Sequence, residues 1–180
     1  MKIVIISGSN REGASTTLLS AYVGQVLTEK GAEVTLVDLY KQPVPLYSPD
    51  PSVVEDENLI HMKKTVMEAD GIVLATPEYH GAMSGVLKNA LDHMDAQYVD
   101  GKVVLSMSSA GGAVGVSSLQ QLQTVVRNLH GVNCPEWISI GGAGRTFNEQ
   151  GEPETLQIRE RILRTVTYFL SMTETFRKSV

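Results

Sequence analysis

The chain is short of cysteine, of positive charge and of long apolar runs, and each shortage removes a class of protein. One cysteine, Cys134, cannot form an internal disulfide, so stability has to come from a buried core, and a reducing cytoplasm is the expected setting. A lone cysteine reads as a small buried side chain rather than a redox centre. Fifteen Lys and Arg against 20 Asp and Glu leave a net charge of −5. That argues against a nucleic-acid partner, whose binding would rest on a positive field. The opening MKIVIISGSN offers five apolar-type positions before Ser7 and Gly8. That is too few for a signal segment or a membrane span, so no membrane partner is expected.

What is present is 180 residues, 42% of them hydrophobic. A chain of this length buries roughly 70% of the surface its unfolded form exposes. One domain over 1–180 is expected. No internal repeat, low-complexity tract or long linker interrupts it.

Strand and helix patterns alternate throughout. KIVIIS (2–7), EVTLVDL (33–39), GIVLATP (71–77), KVVLSMSS (102–109) and CPEWISI (134–140) read as strands, apolar enough to be covered on both faces. Helices are expected over 15–30, 56–69, 84–95, 117–130 and 153–175. In the first, Leu18, Leu19, Tyr22, Val23, Val26 and Leu27 would fill one face, with Gly31 as the stop. In the third, Leu87, Leu91 and Met94 fall at i, i+4 and i+7. Residues 41–56, with Pro43, Pro45, Pro49 and Pro51, read as a long irregular connection. Such alternation means a doubly wound α/β fold: a five-stranded parallel sheet with helices on both faces. At this length the leading strand order is 2-1-3-4-5, flavodoxin-like. The ligand then sits beyond the carboxyl ends of the strands, at the switch between strands 1 and 3. Segments 7–17, 76–85 and 108–115 would meet there.

The first of these, SGSNREGASTT (7–17), is neither a dinucleotide fingerprint nor a P-loop. Gly8 and Gly13 do not make G-x-G-x-x-G, and no Gly-Lys-Ser/Thr follows. It does place Ser9, Ser15, Thr16 and Thr17 around a helix start, with Arg11 in the loop. Free N–H groups and the helix dipole favour an anion there, and hydroxyls with one guanidinium suit a monophosphate. The plainer alternative makes Ser15 or Thr16 an N-cap and leaves Arg11 in solvent.

The second segment makes the reading specific. GSNREGAST (8–16), PEYHGAMSGVLKNALD (77–92) and GKVVLSMSSAGG (101–112), in this order and spacing, resemble the NADPH-dependent FMN reductase family. The likeness is nearest to its azobenzene, chromate and quinone reductase branch. The resemblance implies that Ser9, Arg11, Ser15 and Thr16 hold the FMN phosphate. It implies that Pro77, Glu78, Tyr79, His80 and Gly81 run along the isoalloxazine ring, with Ser84 starting the next helix. It puts Ser109, Ala110, Gly111 and Gly112 near the ribityl and pyrimidine side. Ser15 stands where many relatives have asparagine, and a hydroxyl still donates to phosphate.

A carboxylate against reduced flavin is unfavourable, so Glu78 is expected to turn away, toward backbone or another subunit. His80 is the one candidate proton donor, since its unperturbed pKa is near 6.5. The competing reading gives the work to its backbone N–H. Asp92, His93 and Asp95 have poor metal-ligand spacing, and no metal is expected.

The resemblance further implies an enzyme that takes hydride from NADPH or NADH and passes the electrons on in a ping-pong sequence. The acceptor would be a small molecule: an azo compound, a quinone, chromate or free flavin. Arg145, in the GGAGR turn, is a candidate for the 2′-phosphate of NADPH. Family members are dimers or tetramers, and helix 84–95 carries apolar residues on more than one face, as an interface would. An electron carrier of the same fold is the alternative. Such carriers usually show a T-x-T-G-N-T loop and aromatics flanking the ring, and this chain has Arg11 and the PEYHG loop instead. A response-regulator-like module would need an acidic cluster after strand 1, which Ser7 to Ser9 do not supply.

Overall fold

The computed structural model describes residues 1–50 and 56–177. Pro51, and with it part of the expected 41–56 connection, lies outside the described residues. The elements run β1 (Lys2–Ser7), α1 (Ser15–Glu29), β2 (Glu33–Asp38), α2 (Glu57–Glu68), β3 (Gly71–Pro77), α3 (Gly85–Asp92), α4 (Ala96–Val99), β4 (Val103–Ala110), α5 (Val116–Asn128), β5 (Val132–Asn133), β6 (Ile138–Gly141), a 3-10 turn (Gly142–Arg145) and α6 (Leu156–Arg177).

The sheet is parallel, in the order β2-β1-β3-β4, with β5 and β6 both beyond β4. This is the flavodoxin-like 2-1-3-4-5 arrangement, with the fifth strand in two pieces. The break comes where Pro135 supplies no N–H. Cys134 N–H still reaches Val104 O at 2.9 Å, Pro135 and Glu136 then swing into solvent, and pairing resumes at Met107↔Ile138. An edge strand tolerates such a gap because only one ladder is lost.

Alternation along the strands divides the core in two. Ile3, Ile5, Val73, Leu105 and Met107 face α1 and α6, where Leu19, Val23, Ile162 and Phe169 meet them. Val4, Ile6, Ile72, Leu74 and Val104 face α2, α3 and α5, against Met62, Leu87, Leu91 and Leu122. Burying one such side chain is worth about 1.5–3 kcal/mol, so a one-residue slip of any strand would forfeit several of these contacts.

Three expectations shift. Leu18 is exposed rather than inward. The third helix stops at Asp92, and Asp95 starts the separate turn α4 by accepting from Gln97 N–H. The last helix starts at Leu156 rather than 153, because Pro153 is held in a bridge to Phe147. Helix α3 also offers less to a partner subunit than its composition suggests. Met83, Leu87, Ala90, Leu91 and Met94 are all buried within the chain's own core.

Candidate functional site

Three loops leave the carboxyl ends of β1, β3 and β4 and meet as expected. The first is tied down by Ser84, whose hydroxyl donates to Gly8 O at 2.5 Å and accepts from Leu87 N–H at 3.1 Å. One residue thus caps α3 and anchors the loop after β1. The first and third loops touch through Ser15 and Ser109, whose hydroxyl oxygens are 2.8 Å apart across 94 positions of sequence. The second loop joins the third where Glu78 N–H donates to Ser109 O at 2.9 Å.

Between these loops is a cleft of about 320 Å³. Ser9, Arg11, Ser15 and Thr16 line it from the first loop, Pro77, Glu78 and Tyr79 from the second, and Ser109 and Gly111 from the third. His80, Gly81 and Gly112 are not in its lining. The roles differ among the hydroxyls. Ser9 Oγ accepts from Arg11 N–H at 3.3 Å and so shapes its own loop. Thr17 pairs with Ser7 at 3.1 Å, away from the cleft. Sequence reasoning missed Ala14, and it gave Arg145 another role; both line the cleft. Ala14 carries no chemical signal of its own.

Ala14 nevertheless decides the electrostatics. It occupies the N-cap of α1 and provides no capping side chain. The idea that Ser15 or Thr16 simply caps this helix therefore fails, since both lie inside its first turn. Helices α2, α3 and α5 each have one first-turn N–H accepted by a side chain. Asp56 accepts from Leu59 N–H on α2, Ser84 caps α3, and Glu78 Oε2 accepts from Ser118 N–H on α5 at 2.9 Å. Of these four, among the described residues, only α1 has no side chain accepting from its first turn, and its start lines the cleft with the positive end of its dipole.

Glu78 lines the cleft, and its carboxylate bonds to backbone, at Ser118 N–H, as expected. The turn after it is a two-residue hairpin. Tyr79 and Ala82 exchange both backbone hydrogen bonds at 3.0 Å, with His80 at φ 53° and Gly81 at φ 73°. Positive φ at both central positions is the I′ geometry, where glycine is unstrained and histidine tolerable. The side chain of His80 is exposed.

A second cavity of about 420 Å³ lies beside the first, lined by Leu39, Pro43, Val44, Leu46 and Val86, with Tyr79 shared between the two. Its outer wall is the 43–47 segment, pinned to α3 by Asn89 and His93, which both reach Pro45 O. His93 also meets Tyr47 edge-on at 5.4 Å. Lys88 pairs with Asp92 on its own helix. Among the described residues no group of three His, Cys, Asp or Glu is placed to hold a metal.

The donor set therefore suits a phosphate-bearing cofactor: an uncapped helix start, four serine and threonine residues and two guanidinium groups around one cleft. The model of the NADPH-dependent FMN reductase family matches residues 1–145. The chain belongs to that family. The match spans every loop of the cleft and ends on Arg145. This reductase is 33% identical over 170 residues to an FMN-dependent NADPH-azoreductase of Staphylococcus aureus, covering 90% of each chain. Among solved structures it is similar to FerB, a flavoenzyme NAD(P)H:(acceptor) oxidoreductase from Paracoccus denitrificans. That match has a TM-score of 0.82 and 22% identity, and covers 97% of both chains. A flavodoxin from the domain Archaea matches less well, with a TM-score of 0.66 and 14% identity over 96% of this chain and 99% of that one. At those identities the structures speak for the fold alone. The family assignment makes the protein an oxidoreductase that uses FMN with NADPH as co-substrate. No helix among the described residues is long and apolar enough to cross a membrane.

Proposed function

We propose that residues 1–180 form one FMN-binding domain acting as an NAD(P)H oxidoreductase of ping-pong type. Its second substrate is a small acceptor: an azo compound, a quinone, chromate or free flavin. Bound FMN supplies the hydride chemistry, while the protein supplies position and electrostatics. Ser9, Arg11, Ser15 and Thr16 hold the phosphate. The 77–81 turn lies along the ring and offers backbone N–H groups, with Glu78 kept out of the way by Ser118. The observation that carries the reading is the uncapped start of α1, open to the same cleft as Arg11.

Tyr79 is 46% exposed and belongs to both cavities. An acceptor in the apolar neighbour would approach the flavin past this ring. Leu46, 86% exposed on that rim, fits a homodimer or homotetramer in which a second subunit covers the site.

The test is a visible spectrum of the purified protein, then anaerobic NADPH. A flavin band that bleaches supports the reductase half-reaction. Parallel initial-velocity lines with a quinone or azo dye then support ping-pong turnover. A band that neither NADPH nor NADH bleaches points to an electron carrier. Failure to take up FMN overturns the site.

A further inference from the structure

Arg145 faces the cleft that holds Ser9, Arg11, Ser15 and Thr16, although it comes from the opposite end of the sequence. We propose that Arg145 is a second anchor for the 5′-phosphate of FMN, acting together with Arg11. The inference rests on the phosphate cradle proposed above and adds a residue to it.

The turn that carries Arg145 is pressed against the third loop of the site. Gly141 pairs with Ala110 at the end of β6. A Cβ at 141 would lie 2.1 Å from Gly112 O and 2.4 Å from Ala113 O, so only glycine lets the backbones approach this closely. Thr146 closes the turn by donating to Ala143 O at 2.9 Å. Arg145 Nε is 3.5 Å from Gly142 O, a weak contact. Among the described residues neither Arg145 nor Arg11 forms an ion pair. The carboxylate in the cleft lining, Glu78, already accepts from Ser118.

Two uncompensated guanidinium groups on one small cleft repel each other until an anion joins them. A phosphomonoester, with about −1.5 to −2 charges at neutral pH, is the ligand that satisfies both. FMN and the 2′-phosphate of NADPH share that chemistry. That Arg145 lines the same cleft as Ser9, Arg11, Ser15 and Thr16 favours FMN.

The experiment strips the flavin and measures affinity for FMN and for riboflavin, which lacks the phosphate, by flavin fluorescence. The proteins compared are the unaltered chain, R11Q, R145Q and R145K. The expected result is an FMN preference in the unaltered chain. R145Q weakens FMN by about tenfold, as loss of a charged hydrogen bond does, and changes riboflavin by less than about twofold. R145K recovers part of the loss. If R11Q narrows the FMN preference and R145Q does not, Arg145 is no anchor and the cradle stands. If R145Q instead raises the KM for NADPH but not for NADH, Arg145 serves the 2′-phosphate and the proposal is overturned. Equal losses for FMN and riboflavin also overturn it. No FMN preference in the unaltered chain removes the cradle itself.

Discussion

The two ends of the sheet both carry clefts rimmed by charge, and they use that charge differently. At the amino ends a cleft of about 240 Å³ opens between β1, β2 and α2, with Lys2, Glu33, Lys64 and Glu68 in its lining. Charges there answer one another. Lys2 Nζ lies 3.5 Å from Glu68, its backbone N–H donates to Asp70 at 2.7 Å, and Asp70 also meets Arg177 at 3.5 Å. At the carboxyl ends Arg11 and Arg145 share a cleft with an uncapped helix start, and its one acid is committed elsewhere. A neutralised rim holds the fold's edge together. A rim with positive potential left over is built for a ligand.

The largest break in that contrast is removal of the cation and a hydroxyl at the α1 start. Arg11→Ala with Ser15→Ala should weaken FMN binding about 100-fold, two charge-assisted contacts at about 1.5 kcal/mol each. Flavin content after purification reads this directly, and unchanged occupancy would refute the phosphate assignment.

His80 is next. Alanine would strain a residue at φ 53°, so asparagine, which tolerates that region, is the cleaner variant. His80→Asn should keep the rate of flavin reduction by NADPH within about tenfold in stopped flow. A side-chain general acid would cost about 10²–10⁴-fold, and a loss of that size would make the imidazole a catalyst.

Glu78→Ala leaves the α5 start without its partner and should cost about 1 kcal/mol of stability. In a domain of this size that lowers Tm by about 2–4 °C. Glu78→Gln, which keeps an acceptor, should lose less, and equal losses would count against the capping role.

The smallest effect belongs to the neutralised end. Lys2→Ala should change stability by less than about 1 kcal/mol, since its side chain is half exposed, and should leave FMN affinity untouched. A measurable fall in FMN affinity would erase the distinction between the two ends.

Much of this was legible in the residues. Apolar strand runs, Gly31 as a helix stop and the hydroxyl-rich loop at 7–17 are local signals, because period and turn chemistry are written in adjacent positions. The break at Pro135 was missed because an apolar run looks continuous until a ladder needs an N–H at one position. The inward face of α1 was drawn one residue too wide at Leu18, since the width of a buried stripe depends on what packs against it.

The sequence by itself determined the alternation of strand and helix and the family, since three motifs in order and spacing suffice for that. Only the tertiary structure decided which side chains compensate one another. That Glu78 bonds to the start of α5, that Ser15 meets Ser109, and that Arg145 lines the same cleft as Arg11 all depend on residues 40, 94 and 134 positions apart being brought together. Such pairings follow from the packing of strands β1, β3, β4 and β6 against their helices, and no local pattern encodes them.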